Sequence, residues 1–304
     1  MYELIIVGAG PAGLTAGLYA GRYGLSTLIL EKAVVGGQII LSEKIENFPG
    51  FPAGIETNAL IEKMRKQVEN VGVKILMQEV VKIEFDNTLK KVFSPEEVFF
   101  AKAVIVASGA SARNLGVKGE DKFIGRGISY CATCDGPLFK NKEICVVGGG
   151  DRALEEAIFL SRYAKKVYII HRRSEFRGSH ILEEEAKRSK KINFVLDSVV
   201  EEIMGEDRVS TVKIKNVKTH ASTSLNCEGV FIFVGIQPNT TFLKTTLNLD
   251  KDGFIITDEN LKTSAEGIFA AGDCRAAILR QVVTACGDGA IAAHSAHQYI
   301  APYK

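Results

Sequence analysis

The chain has 304 residues, above the roughly 250 to 300 at which single hydrophobic cores stop growing, so two domains are expected. Hydrophobic residues make up 46% and charged residues 24%, the balance of a globular enzyme, and 38 Lys+Arg against 36 Asp+Glu leave a net charge of +2 with no basic footprint for nucleic acid. Six cysteines are too few for a secreted disulfide scaffold, and the leading apolar run Leu4-Ile5-Ile6-Val7 is too short for a signal peptide or a membrane span, which predicts a cytoplasmic protein with no membrane partner.

That run reads as a strand. It enters the glycine turn Gly8-Ala9-Gly10-Pro11-Ala12-Gly13, a helix over Leu14 to Tyr23, and a second strand over Ser26 to Leu30 that ends at Glu31. Ile55 to Val71 has the spacing of an amphipathic helix with Leu60, Met64 and Val68 on its core face. Val80 to Phe85 and Ala103 to Ser108 are expected strands, and Gly109 to Gly119 an expected linker. The opening pattern then recurs in register. Ile144 to Val147 leads into Gly148-Gly149-Gly150-Asp151-Arg152-Ala153, a helix over Leu154 to Tyr163, and a strand over Lys166 to Ile170 that sets His171 opposite Glu31. Arg208 to Val217 and Val230 to Val234 are further strands, and Gly235 to Thr241 reads as a second linker.

Two copies of strand, glycine turn, helix and strand predict an α/β protein with two Rossmann-like dinucleotide-binding domains, the second inserted into the first. The expected domains are 1–112 plus 243–304, and 113–242. The glycines at 8, 10, 13 and 150 permit close approach of backbone to a pyrophosphate, and the helix N-termini beginning near Pro11-Ala12 and Asp151-Arg152-Ala153 offer it unpaired N–H groups. Glu31 suits the hydroxyl pair of a ribose and disfavours a 2′-phosphate, so FAD or NAD fits the first site and NADP does not. His171, Arg172, Arg173 and Arg177 form a cationic set matched to a 2′-phosphate, so NADPH is the expected occupant of the second.

Cys131-Ala132-Thr133-Cys134 has the two-residue spacing of a redox dithiol, with Asp135 beside it. A structural zinc site uses the same spacing but needs four ligands, and no second Cys or His pair supplies them; no metal is expected. Cys145, Cys227 and Cys286 sit in apolar strand or helix context, where a buried inert thiol is the common role. Cys274, next to Asp273, stays a candidate for chemistry.

The chain resembles the low-molecular-weight, bacterial-type thioredoxin reductases over nearly its whole length. The likeness rests on Gly8 to Gly13, Gly36-Gly37-Gln38, Glu46 to Gly50, Tyr130 to Asp135, His171-Arg172-Arg173, Ala270 to Asp273 and Arg280 to Ala285. It implies an FAD and NADPH disulfide oxidoreductase, a homodimer, with thioredoxin or a thioredoxin-like protein as partner. It places Gly37, Gln38, Asn47, Asp273, Arg280 and Gln281 around FAD. Lys32, Val80, Gly109, Gly272 and Val282 complete the expected cofactor contacts. It makes Cys134 the sulfur nearest the flavin, Cys131 the sulfur that attacks the protein substrate and Asp135 the proton donor. It also implies that the inserted domain rotates about the two linkers, so that dithiol and nicotinamide take turns at the flavin.

One residue departs from the family pattern. Ser or Thr is usual where this chain has Arg152, and an arginine at a helix N-terminus opposes the macrodipole by about 0.3 to 1 kcal/mol unless an anion is bound there. The alternative reading is a related flavin-dependent disulfide reductase that takes electrons from ferredoxin or another donor; the retained arginines speak against it. A flavoenzyme without dithiol chemistry is disfavoured by the Cys pair, and a non-enzymatic redox sensor by the lack of any DNA-binding module.

Overall fold

A computed structural model describes residues 1–42, 44–85, 89–243 and 246–301. Two compact units emerge: Met1–Ile40, Phe48–Ser111 and Gln237–Lys304 form the first, and Leu41–Asn47 with Ala112–Ile236 the second.

In the first unit the strand Tyr2–Val7 lies between Thr27–Glu31 and Val98–Val106, parallel to both, with Leu4 opposite Thr27 and Val7 opposite Val106. Lys74–Met77 extends the sheet beyond Thr27–Glu31. The long strand Val98–Val106 has two further partners on its other edge: its end pairs in parallel with Ile268–Ala270, and its beginning pairs antiparallel with Lys90–Phe93, which in turn pairs with Lys82–Phe85. Leu4, Ile5, Ile6, Leu28 and Ile29 have no exposed surface, as strands covered on both faces require. One face packs against the helices Pro11–Arg22 and Val282–Ile300, and the other against Leu243, Leu247 and Ile255. The two helices approach closely because Gly289 is bare: a Cβ there would overlap the Ala12 carbonyl.

The second unit repeats the plan with a five-stranded parallel sheet in the order Ile128–Ser129, Gly229–Ile232, Glu143–Val147, Lys166–Ile170, Ile192–Val195. Ala153, Leu154, Ala157 and Leu160 of the helix Asp151–Ser161 cover one face. The other is covered by an antiparallel meander, Ser198–Gly205, Val209–Asn216 and Ser222–Asn226, through Val200, Ile203, Val212 and Ile214.

Several elements differ from expectation at their ends. Both glycine-turn helices start earlier, at Pro11 and at Asp151; a proline's fixed φ suits a first helical turn. The helix expected from Ile55 begins at Thr57, and Leu60 and Val68 are buried as its spacing predicts, with Met64 partly so. Val80 lies outside its expected strand, which starts at Lys82, and of the strand expected over Ala103 to Ser108 only the part up to Val106 forms, as the end of a strand that starts at Val98. The linkers are not slack loops. Asn239 donates from its backbone N–H to Gly109 O at 3.0 Å and from Nδ2 to Ser108 O at 2.9 Å, and accepts from Ser111 Oγ at 3.1 Å. In the second unit the Arg113 N–H donates to Gly235 O at 3.0 Å.

Candidate functional site

The first glycine turn is built by the absence of side chains. Gly8 has φ +106° and a Cβ there would overlap the Ala107 carbonyl; a Cβ at Gly13 would overlap the Gly8 carbonyl. The helix therefore starts tight against the strand. Its N-cap, Gly10, supplies no side chain, and no acidic residue enters the first turn, so its leading N–H groups face outward uncapped. Glu31, at the end of the neighbouring strand, is buried and bends back to the turn, where Oε2 accepts from the Ala9 N–H at 2.7 Å and Oε1 from the Ala33 N–H at 3.0 Å. Lys32 beside it is exposed. Gly36 donates to Ala9 O at 2.8 Å, and Gly37, at φ +61°, lies with its Cα side against the backbone of Gly10, Gln38 following on the surface. Backbone thus surrounds the turn on two sides, a cradle that Cβ atoms would narrow and that fits a pyrophosphate.

A third segment reaches the same turn. Gly272, at φ +75°, packs against Ala12, and its N–H donates to Asp288 Oδ2 at 3.0 Å. Asp288 also binds Arg275 through both oxygens, at 2.6 and 3.0 Å, which fixes the loop on either side of Asp273. Arg280 donates to the carbonyls of Asp273 and Arg275, each at 3.4 Å, with its guanidinium 4.1 Å from the centre of the Phe254 ring. Gln281 caps the helix that starts at Val282 in a reciprocal box with Thr284. The structure brings together Gly8 to Gly13, Glu31, Gly36-Gly37 and Gly272, and links Asp273 to Arg280. It buries Val80 in the core beyond the sheet, leaves Gly109 at the end of Val98–Val106 with φ +68°, and groups Asn47 with the second unit. Asp288, which holds this loop, is a residue the sequence did not single out. Its signal was a lone carboxylate within a helix of small residues, Gly287-Asp288-Gly289.

Cys274 has no exposed surface. Its thiol donates to the Val106 and Ala271 carbonyls at 3.4 Å, and burial pushes its pKa up to about 11. It is an inert core thiol. Because this folded-state pKa lies above the unfolded one, the thiol's contribution to stability is complete below pH about 9 and is lost as pH rises toward about 11. Urea midpoints measured across that interval should fall in the parent protein and fall less in Cys274→Ala; identical profiles would refute the burial argument.

The second glycine turn uses the same backbone and a different anchor. Gly148 lies against the Phe233 carbonyl, and a Cβ at Gly149 would overlap the ring of His171. His171 is buried, stacks on Phe176 at 5.4 Å between ring centres, and contacts Glu175 O through Nε2 at 3.1 Å. Burial first, and then the cationic field of Arg177, Arg172 and Arg173, lowers its pKa, so the imidazole is neutral near pH 7. The loop after it folds back over the turn. The Arg177 N–H donates to Gly149 O at 2.7 Å and the Ser179 N–H to Asp151 Oδ1 at 2.6 Å. Arg172, Arg173 and Arg177 are thereby left exposed on the loop bound to the turn, while Gly150 keeps open space where a Cβ would sit. Ala153 is buried in the core beneath. Arg152 is half-exposed, 3.9 Å from Glu156 and 5.4 Å from the Phe233 ring centre, contacts that offset its poor position on the helix dipole.

In the same unit Cys131 and Cys134 form a disulfide, with their Cα atoms 5.3 Å apart. Cys131 is the N-cap of the short helix Ala132–Asp135: its Sγ accepts from the Cys134 N–H at 3.2 Å and lies 3.4 Å from Thr133 Oγ1. Donors around that sulfur make the setting that favours a thiolate. Both cysteines and Asp135 are partly exposed, and the Asp135 N–H donates to Cys131 O at 3.2 Å. Among the described residues no group of three His, Cys, Asp or Glu could hold a metal, and no helix is long and apolar enough to cross a membrane.

Residues 2–289 match the model of the pyridine nucleotide-disulphide oxidoreductase family. The chain belongs to that family. Within it, the chain is 44% identical over 306 residues to a thioredoxin reductase of Peptoclostridium litorale, covering 99% of this chain and 97% of the relative. It is 43% identical to the thioredoxin reductase of Listeria monocytogenes, covering 100% and 95%. Among solved structures, the thioredoxin reductase from Streptococcus pyogenes superposes with a TM-score of 0.94 at 46% identity, covering 99% of both chains. Family membership and the paired glycine turns agree on an α/β oxidoreductase with two Rossmann-like halves.

Proposed function

We propose that the protein is an NADPH-dependent thioredoxin reductase. The observation that carries this reading is the Cys131–Cys134 disulfide in the same unit as a glycine turn whose covering loop exposes three arginines. The first unit is the flavin-binding half: the Gly8 to Gly13 cradle takes the pyrophosphate of FAD, Glu31 has lone pairs left for a ribose hydroxyl, and the loop held by Asp288 presents Asp273. The second is the NADPH half, with Arg172, Arg173 and Arg177 for the 2′-phosphate. Bound nicotinamide and flavin supply hydride and electron transfer between them.

The chain's own chemistry is exchange. In the dithiol form, the Cys131 thiolate attacks the disulfide of oxidised thioredoxin, one thioredoxin sulfur leaves as thiolate, and a mixed disulfide forms. Cys134 then attacks Cys131 Sγ, which restores the Cys131–Cys134 disulfide and releases dithiol thioredoxin. Asp135 sits one residue from Cys134 and is assigned the proton transfers. The protein works as a homodimer in the cytoplasm, and the linkers that meet through Asn239 and through Arg113 serve as the axis about which the second unit turns.

Anaerobic titration tests the donor and the acceptor together. NADPH should bleach the protein's flavin near stoichiometrically, NADH and reduced ferredoxin far less, and oxidised thioredoxin should restore the colour. Bleaching by ferredoxin in preference to NADPH would move the assignment to the ferredoxin-dependent relatives.

A further inference from the structure

Behind the dithiol lies a carboxylate that none of these steps uses. Glu120 is 2% exposed, and both its oxygens are engaged: Oε1 accepts from the Leu115 N–H and from the Tyr130 hydroxyl, each at 2.9 Å, and Oε2 from the Gly116 N–H at 2.8 Å. A carboxyl group so far from water needs such partners. The turn that carries it packs closely against the meander. Gly119 has φ +89° and a Cβ there would overlap the Ile203 carbonyl, while the Ile203 N–H donates to Lys118 O at 2.9 Å. Glu120, at the start of the short helix Glu120–Phe123, is therefore a post set against the meander.

Tyr130 connects that post to the reacting sulfur. It directly precedes Cys131, whose peptide is bracketed by the buried Ser129 hydroxyl: Ser129 Oγ accepts from the Cys131 N–H and donates to Cys131 O, both at 3.1 Å. Ile128 and Ser129 belong to the parallel sheet, opposite Val230 and Phe231. Beyond Ser129 the chain leaves the sheet, and the Tyr130 hydroxyl is its next side-chain anchor. Burial, and then Glu120, holds the Tyr130 phenol far above the usual tyrosine range, so it remains a neutral donor at any working pH.

We propose that Glu120 and Tyr130 are positioning residues for the redox dithiol, clamping the end of the strand that carries Cys131 so that its sulfur stays facing Cys134. The proposal rests on reading Cys131 and Cys134 as the working dithiol. Closing a disulfide depends on how often one thiol meets the other, and a clamp on one side of Cys131 raises that effective concentration. Releasing it favours the open dithiol and makes the couple more oxidising.

The test is the dithiol–disulfide equilibrium of the full-length flavoprotein in glutathione buffers, read by acid quench, alkylation and peptide mass at Cys131 and Cys134. Tyr130→Phe keeps the ring in its apolar setting and removes only the hydroxyl; it should shift the equilibrium toward the dithiol by about fivefold, which is about 20 mV. Glu120→Gln should shift it the same way, with flavin reduction by NADPH at the parent rate and thioredoxin turnover slowed. An unchanged equilibrium in Tyr130→Phe, or a shift toward the disulfide, overturns the proposal, even if the melting temperature falls. If the parent protein fails to reduce thioredoxin, the functional reading fails instead, and the glutathione equilibrium still decides the clamp.

Discussion

Cys131→Ser and Cys134→Ser should each lower steady-state thioredoxin reduction by about a thousandfold or more, since exchange needs one thiol to attack and a second to resolve. The two losses should differ in kind. Cys134→Ser keeps the sulfur that faces the Cys134 N–H and Thr133, so it should halt as a mixed disulfide with thioredoxin, visible on a non-reducing gel. Cys131→Ser should trap much less. Both residues belong to the second unit and neither helps to build the glycine turn of the first, so flavin content and the rapid bleaching of flavin by NADPH should survive in both. Turnover at even a tenth of the parent rate in either variant would remove the dithiol from the electron path.

The second large effect concerns the nucleotide. Arg172→Ala combined with Arg173→Ala should reduce the preference for NADPH over NADH about a hundredfold. A hydrogen bond to an ionised group contributes about 1.5 to 3 kcal/mol, exposure places these two at the lower end, and about 1.4 kcal/mol is a factor of ten. The loss should fall on kcat/KM for NADPH, with NADH almost unaffected, and should shrink as salt is added because both guanidinium groups are exposed. A parent enzyme that reduces its flavin equally fast with either nucleotide would end the argument before the variants are made.

Some of this site was legible as sequence because it consists of missing side chains. Gly8, Gly13, Gly148 and Gly149 each stand where a Cβ would meet backbone or a ring, and a requirement of that kind leaves a pattern in the chain. The alternation of apolar strands and glycine turns carried the fold class for the same reason. What stayed hidden depends on partners distant in sequence. The register placed His171 opposite Glu31 without revealing that its ring would lie buried against Gly149 and Phe176. The folding of Arg177 and Ser179 back over the turn rests on two backbone donors, which no residue type announces. Nothing in the sequence sets Glu120 apart, because Leu115, Gly116 and Tyr130 converge on it only in the fold. The linkers read as loose segments because Gly, Ser and Asn suit a loop and an ordered crossing equally well.

The two glycine turns are anchored from different depths, and this bears on how the protein can change over evolutionary time. Glu31 is buried and holds the backbone of its own turn, so replacing it should disturb the proposed flavin site and folding together. Arg172, Arg173 and Arg177 are exposed side chains on a loop that main-chain hydrogen bonds keep in place. Exposed positions of this kind tolerate substitution within about 0.5 kcal/mol of stability. With the two sites assigned as proposed, lineages descended from this chain should be freer to exchange the coenzyme of the second than that of the first, and divergence in electron donor should accumulate at the arginine rim while Glu31 stays fixed.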